Sequence, residues 1–208
     1  MSASAQVAPA GGAGQEPVTL KVMTQHVVTD VALYIAQERG YFKEQDLNIQ
    51  FQDISNGSDA VPFVSTGKLD VAVGSPGAGL FNAMARGINV KLVADKGAVS
   101  PDGKNGFTGL QWLVVAKSEA DSIKRYQDLK GKTVAIPDRG AGLEILLDKL
   151  LAKGGLTLND VNIKTVPFPS MLAALGNKSI DAALELEPFA TQGAAKGSLV
   201  RFKNAVDF

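Results

Sequence analysis

The 208-residue chain contains no cysteine, which excludes disulfides, thiolate metal sites and cysteine nucleophiles. It carries one histidine, His26, and a lone histidine without cysteine is not a metal site of ordinary kind. Charge of either sign is in balance, 21 Lys plus Arg against 21 Asp plus Glu, so no basic face favours nucleic acid. No apolar run approaches the roughly 18 residues of a membrane-crossing helix. A serine-hydrolase signature is missing as well. The sequence around Ser75 is not G-x-S-x-G, and His26 has no evident orienting partner in the sequence.

What is present is a chain 45% apolar and 20% charged, the composition of a globular core. The start, MSASAQVAPAGGAGQEP, is rich in Ala, Gly, Ser and Pro, so residues 1–17 are expected to form a disordered tail. It has neither a basic n-region nor an apolar h-region, so an intact signal peptide is not expected in this chain. Two stretches about 110 residues apart follow one pattern: GKLDVAVGSPGAGLFNAMARG from Gly67 and NKSIDAALELEPFATQGAAKG from Asn177. Each has Lys, an apolar residue, Asp, a short apolar run, Pro, then a helical pattern ending in a basic residue and Gly. Val71–Val73 and Ala182–Leu184 read as short buried strands, and the Pro fits the first turn of the following helix. Each copy is then strand, turn, helix, with the turn at the carboxyl end of a strand, where open α/β sheets bind ligands.

The rest alternates strand and helix. Strands are expected at Val18–Met23, Leu47–Asp53, Val90–Ala94, Leu110–Ala116, Thr133–Ile136, Val161–Val166 and Leu199–Phe202. Helices are expected at Val31–Arg39, around Ala60–Ser65, near Gly79–Arg86, at Leu143–Lys153 and from Pro169. Tyr41-Phe42 is expected to cap the first lobe by aromatic packing, and 98–109 reads as a loop. This β-α alternation predicts an α/β fold of two lobes, each with an open, mostly parallel sheet. Lobe boundaries are expected at 18–113 and 114–208, with Trp112 on the crossing strand read as a core residue; the alternative is a stacking platform for the ligand.

Five stretches in order resemble a known family: YIAQERGYFKEQDLNIQ (Tyr34–Gln50), STGKLDVAVGSP (Ser65–Pro76), YQDLKGKTVAIPDRGAG (Tyr126–Gly142), GGLTLNDVNI (Gly154–Ile163) and SIDAALELEPF (Ser179–Phe189). They are similar to the periplasmic substrate-binding proteins of importers for nitrate, aliphatic sulfonates and taurine, and to the binders of thiamine-pyrimidine precursors. The resemblance implies a small ligand clamped between two α/β lobes, a membrane permease as partner, a monomer, an extracytoplasmic location and no cofactor. It also implies a first lobe that a later return of the chain would complete, so this chain is expected to stop near the second crossing. Leu186 stands where many relatives carry an aromatic residue.

Candidate site residues follow. Asp138, Arg139, Gly140 and Ala141 form a turn opening a helix, where backbone N–H groups and a planar guanidinium suit an anion; the alternative is a solvated Arg. Ser75 and Pro76 form the matching turn of the first lobe, Ser75 either donating to the ligand or capping the helix. Asn56 sits in a helix-opening turn. Gln25 and His26 end the first strand on a loop that lines the cleft in the family; the alternative for His26 is a packing or surface role. Glu185 and Glu187 follow the last strand of the second copy and point the same way, able to receive an amine or to work as acid and base. Solute binding is the leading expectation, with no catalytic residue and no metal. An enzyme on the same fold is the second, a pyrimidine-precursor synthase or a dehydratase using Glu185 or Glu187. Synthases that consume their own histidine and use a cysteine-rich iron site are disfavoured by the missing cysteine. A ligand-sensing domain of a regulator is a third.

Overall fold

The computed structural model describes residues 16–54, 56–96 and 110–204. The expected tail (1–17, bar its last two residues) and the loop at 98–109 lie outside them. Two sheets organise the fold. The first pairs β1 (Val18–Thr24) in parallel with β2 (Leu47–Asp53), Val18 opposite Leu47 and Thr24 opposite Asp53. Between them runs α1 (Val31–Glu38), preceded by a short 3-10 turn and ended where Gly40 takes a left-handed φ of 77°. Next come α2 (Gly57–Ser65) and α3 (Ala78–Ala85). The core of this lobe is small: Met23, Ala60 and Leu69, with Ile54, Val64 and Val73 packed on them.

The second sheet has five strands in the order β5-β4-β6-β3-β7. They are β3 (Gln111–Ala116), β4 (Thr133–Ile136), β5 (Asn162–Thr165), β6 (Ala182–Leu186) and β7 (Leu199–Asn204). β4 pairs in parallel with β5 and β6, while β3 runs against both β6 and β7, so four of five strands share one direction. β3 lies wholly in this sheet. The helices are α4 (Gly142–Ala152) against one face, with Leu147, Leu150 and Leu151 buried, and α5 (Phe168–Gly176) and α6 (Phe189–Ala195) against the other.

The repeated stretches meet their neighbours in the same way. Asp70 N–H donates to the Lys21 carbonyl at 3.0 Å, and Lys21 N–H donates to Asp70 Oδ2 at 2.8 Å. Asp181 N–H donates to the Thr133 carbonyl at 2.8 Å, and Thr133 N–H donates to Asp181 Oδ2 at 2.7 Å. Each Asp thus clasps a parallel neighbour, Asp181 at the first residue of β4 and Asp70 midway along β1, and the next residue joins it: Val71 bridges Val22, Ala182 pairs with Val134.

Several expectations need correction. Val71–Val73 forms only that single bridge instead of a strand, and Val90–Ala94 forms no strand. Leu92 and Val93 are 66% and 79% exposed, without a neighbouring strand among the described residues to complete their hydrogen bonds. Tyr41 is exposed instead of packed. Pro76 lies before Gly77, which caps α3, and Pro188 is itself the residue capping α6, so neither Pro enters the first helical turn. β6 extends two residues past the expected end, which places Glu185 inside it.

The clasp leads to a prediction. Asp181→Ala leaves the Thr133 N–H without its acceptor and should cost about 1–3 kcal/mol in urea unfolding. Asp70→Ala, at a more exposed place, should cost less. A loss at Asp181 below about 0.5 kcal/mol, the scatter of ordinary surface substitutions, would show that the clasp carries no stability.

Candidate functional site

The turns after these strands meet in one seam between the lobes. Ala78 N–H of α3 donates to the Gly140 carbonyl at 3.0 Å, and Gly57 N–H of α2 donates to Asp138 Oδ2 at 3.2 Å. Val28 N–H, on the loop after β1, donates to the Glu187 carbonyl at 2.8 Å. Gly77 eases this approach, since a Cβ there would fall 3.1 Å from the Gly140 carbonyl oxygen and the turn would have to give by a few tenths of an ångström. Ser75 lies over the start of α4, its Oγ 3.6 Å from where a Cβ on Gly142 would stand. The seam therefore gathers Asn56, Ser75 and Pro76 from the first lobe against Asp138, Arg139, Gly140 and Ala141 from the second. Two hollows lie elsewhere: about 370 Å³ between α5 and α6, near Leu172, Phe189 and Lys196, and about 360 Å³ between α2 and α3, near Pro62 and Asn82.

Most charges at the seam are already matched. Arg139 pairs with Glu144, and the other oxygen of Glu144 accepts from Gly140 N–H at 2.6 Å. A carboxylate of the helix itself thus takes both donors that the sequence assigns to an anion. Asn56 precedes α2; its Nδ2 donates to Asp59 at 3.1 Å, and its Oδ1 is buried without a partner among the described residues. Glu187 accepts from Thr191 N–H at 2.9 Å and from Arg201 at 2.5 Å. Burial pushes its carboxyl up, but Thr191 and Arg201 outweigh this and hold it below its usual range.

The loop carrying Gln25 and His26 is built around Asp30, which the sequence reading missed. Asp30 is fully buried and accepts from Gln25 N–H at 2.9 Å, Val27 N–H at 3.3 Å and the Thr24 hydroxyl at 3.0 Å, with Lys96 as its counter-ion. Burial raises that carboxyl, and Lys96 with the backbone and hydroxyl donors more than reverses the shift. His26, at a left-handed φ of 56°, does have orienting partners: Asp53 Oδ1 is 2.8 Å from Nε2 and the Tyr34 hydroxyl is 3.1 Å from Nδ1. The only sequence signal was Tyr34 eight residues on, at a spacing no local motif covers.

Glu185 differs from all of these. It is 1% exposed, Oε1 accepts the Leu186 N–H at 3.0 Å, and Oε2 has no partner among the described residues. Burial, reinforced by the nearby Glu187 charge, pushes its carboxyl up to about 9. The sign follows. Below its ordinary value of 4.5 the carboxyl is protonated in both folded and unfolded chains. Above it the unfolded chain releases the proton while the folded one keeps it, so stability falls as pH rises from 4.5 towards about 9. Glu185→Gln should flatten that fall in urea midpoints measured across the window. Parallel curves for the two proteins would mean that Glu185 is ionised in the fold.

Comparison with known proteins fits this geometry. The family model described as NMT1/THI5 like matches residues 28–204. A binding protein of Brucella abortus (strain 2308) is 30% identical over 149 residues, 72% of this chain and 41% of that protein. A 4-amino-5-hydroxymethyl-2-methylpyrimidine phosphate synthase of Saccharomyces cerevisiae is 29% identical over 145 residues, 70% of this chain and 39% of that one. The chain thus spans about two fifths of the length of these relatives. Among solved structures, the alkanesulfonate-binding protein SsuA from Xanthomonas axonopodis pv. citri superposes with a TM-score of 0.70 at 22% identity, over 93% of this chain and 63% of that one. The chain has the periplasmic-binding-protein fold and belongs to the NMT1/THI5-like family.

Proposed function

We propose that this chain is the solute-binding component of an ABC-type importer, and that it clamps a small anionic or zwitterionic molecule of the sulfonate, nitrate or taurine class between its lobes. The observation that carries the reading is the seam itself. Turns at strand ends of both lobes, after β2, Val71, β4 and β6, converge on one line and bond across it. Ligands of open α/β sheets bind at such strand ends, and lobes joined by few bonds can part and close on a solute. Backbone donors at Gly57 and Ala78 now bond across the seam and come free when it opens. Arg139 exchanges Glu144 for the ligand. Gln25 and His26 close one side, with Ser75 and Pro76 opposite Gly140 and Ala141. A permease takes the ligand from the opened protein, which works as an extracytoplasmic monomer without cofactor or catalytic step.

A second reading rests on the synthase-named relatives together with His26, whose ring is fixed between Asp53 and Tyr34 as a proton-transfer group would be.

A thermal-shift screen separates the two. Ethanesulfonate, taurine or nitrate should raise Tm, since a ligand at a hundred times its Kd adds about 2.7 kcal/mol. Calorimetry of the best anion with Arg139→Ala should then show affinity reduced about tenfold, the loss of one charge-assisted bond. Glu144→Gln, which releases Arg139 from its partner, should strengthen binding. Unchanged affinity in Arg139→Ala removes that residue from the site. A response to 4-amino-5-hydroxymethyl-2-methylpyrimidine phosphate with none to the anions overturns the anion reading in favour of pyrimidine chemistry.

A further inference from the structure

Trp112 and Glu185 are direct partners across the antiparallel pairing of β3 and β6. Cross-strand partners place their side chains on the same face, within contact distance. They sit at the carboxyl end of β6, on the side where Glu187, two residues on, receives the Val28 N–H of the other lobe. Each has a buried polar atom without a partner among the described residues: Trp112 Nε1 and Glu185 Oε2. Nearby groups do not supply one. Arg201 lies over the Trp112 ring, 4.8 Å from its centroid, but its guanidinium bonds to Glu187 and Thr191. Native proteins rarely leave such atoms unmet, and two on paired residues at the end of a strand beside the seam call for a common partner.

The chemistry of the pair selects that partner. An indole N–H can only donate. A buried carboxyl with no cation bonded to it among the described residues keeps its proton and offers an O–H donor. An ammonium group placed here would leave the indole N–H facing another donor, so the amine expected from Glu185 and Glu187 together does not fit. Glu187 is in any case engaged by Arg201. An oxygen that only accepts, as on a sulfonate, a carboxylate or nitrate, fits both donors. A proton-bearing Glu185 also adds no charge to repel it.

We propose that Trp112 and Glu185 form a subsite of the seam that receives one acceptor oxygen of the ligand. The proposal rests on the solute-binding reading and deepens it, because it fixes ligand orientation independently of Arg139.

Trp112 is the one tryptophan of the chain, so intrinsic emission reports from this subsite alone. The full chain is titrated with ethanesulfonate, taurine, nitrate and acetate, with Kd followed by both emission and calorimetry. At least one probe should change the Trp112 emission saturably. Glu185→Leu, which removes the donor, should weaken that probe about tenfold or more, the loss of one hydrogen bond that leaves the bound oxygen unmatched. The same substitution should raise Tm, since a buried unpaired carboxyl disappears. Glu185→Gln keeps a donor and should stay within about threefold of the parent, while Trp112→Phe, read by calorimetry, should weaken binding as Glu185→Leu does. If Glu185→Leu does not fold, Trp112→Phe decides. Should a probe bind the parent, and bind both Glu185→Leu and Trp112→Phe with the same Kd, the subsite is wrong and the solute-binding reading stands. Should no probe bind the parent protein at all, the solute-binding reading fails and takes the subsite with it.

Discussion

An aspartate that clasps the backbone of a neighbouring parallel strand, used twice, ties the equivalent stretches of this molecule to their sheets. Asp70 exchanges two hydrogen bonds with Lys21, and Asp181 exchanges two with Thr133. In each case a carboxylate accepts a backbone N–H of the neighbouring strand, the first of β4 or the fourth of β1, a stronger bond than one between neutral groups. The clasp at Thr133 holds the start of β4, which ends at Ile136 before the Asp138–Ala141 turn that opens α4. The clasp at Lys21 holds the middle of β1, three residues before its end at Thr24 and the loop of Gln25 and His26. Two lobes built on one device present their turns to each other.

At the seam, electrostatics turns inward. Arg139 meets Glu144, Glu187 meets Arg201, Asp30 meets Lys96, and Asp138 accepts a backbone N–H from the opposite lobe. Each pair avoids the penalty of an isolated buried charge. A ligand that enters must match or displace these partners, so its affinity is the difference between two similar sets of bonds. Under the proposed reading, net discrimination falls on the Trp112–Glu185 pair, whose Nε1 and Oε2 have no partner among the described residues.

Much of this was legible from residues alone where the signal is local. The alternation in Leu47–Asp53 marks β2 to the residue, Thr133–Ile136 marks β4, and the shared pattern around Asp70 and Asp181 marks two equivalent places. What stayed hidden depends on partners distant in sequence. Val90–Ala94 has strand-like composition, yet a strand exists only where another lies beside it. Glu185 reads as following its strand, because whether β6 stops at Leu184 or Leu186 is decided by β3, which pairs Gln111 with Leu186. Arg139 reads as free for an anion, since its capture by Glu144 depends on how the turn folds back over the first turn of α4. His26 looks solitary until Asp53, 27 residues away, closes on it.

In the proposed function the two lobes part and close around a solute. The chain has no native cysteine, so Lys68 of the first lobe and Lys149 of the second can be replaced by cysteine and spin-labelled without background. Pulsed dipolar spectroscopy then reads the distance between lobes with and without the anion that stabilises the protein. The account predicts a broad or longer distribution in the free protein that contracts to one narrow distance when the anion is added. A single distance, identical in both samples, would contradict it.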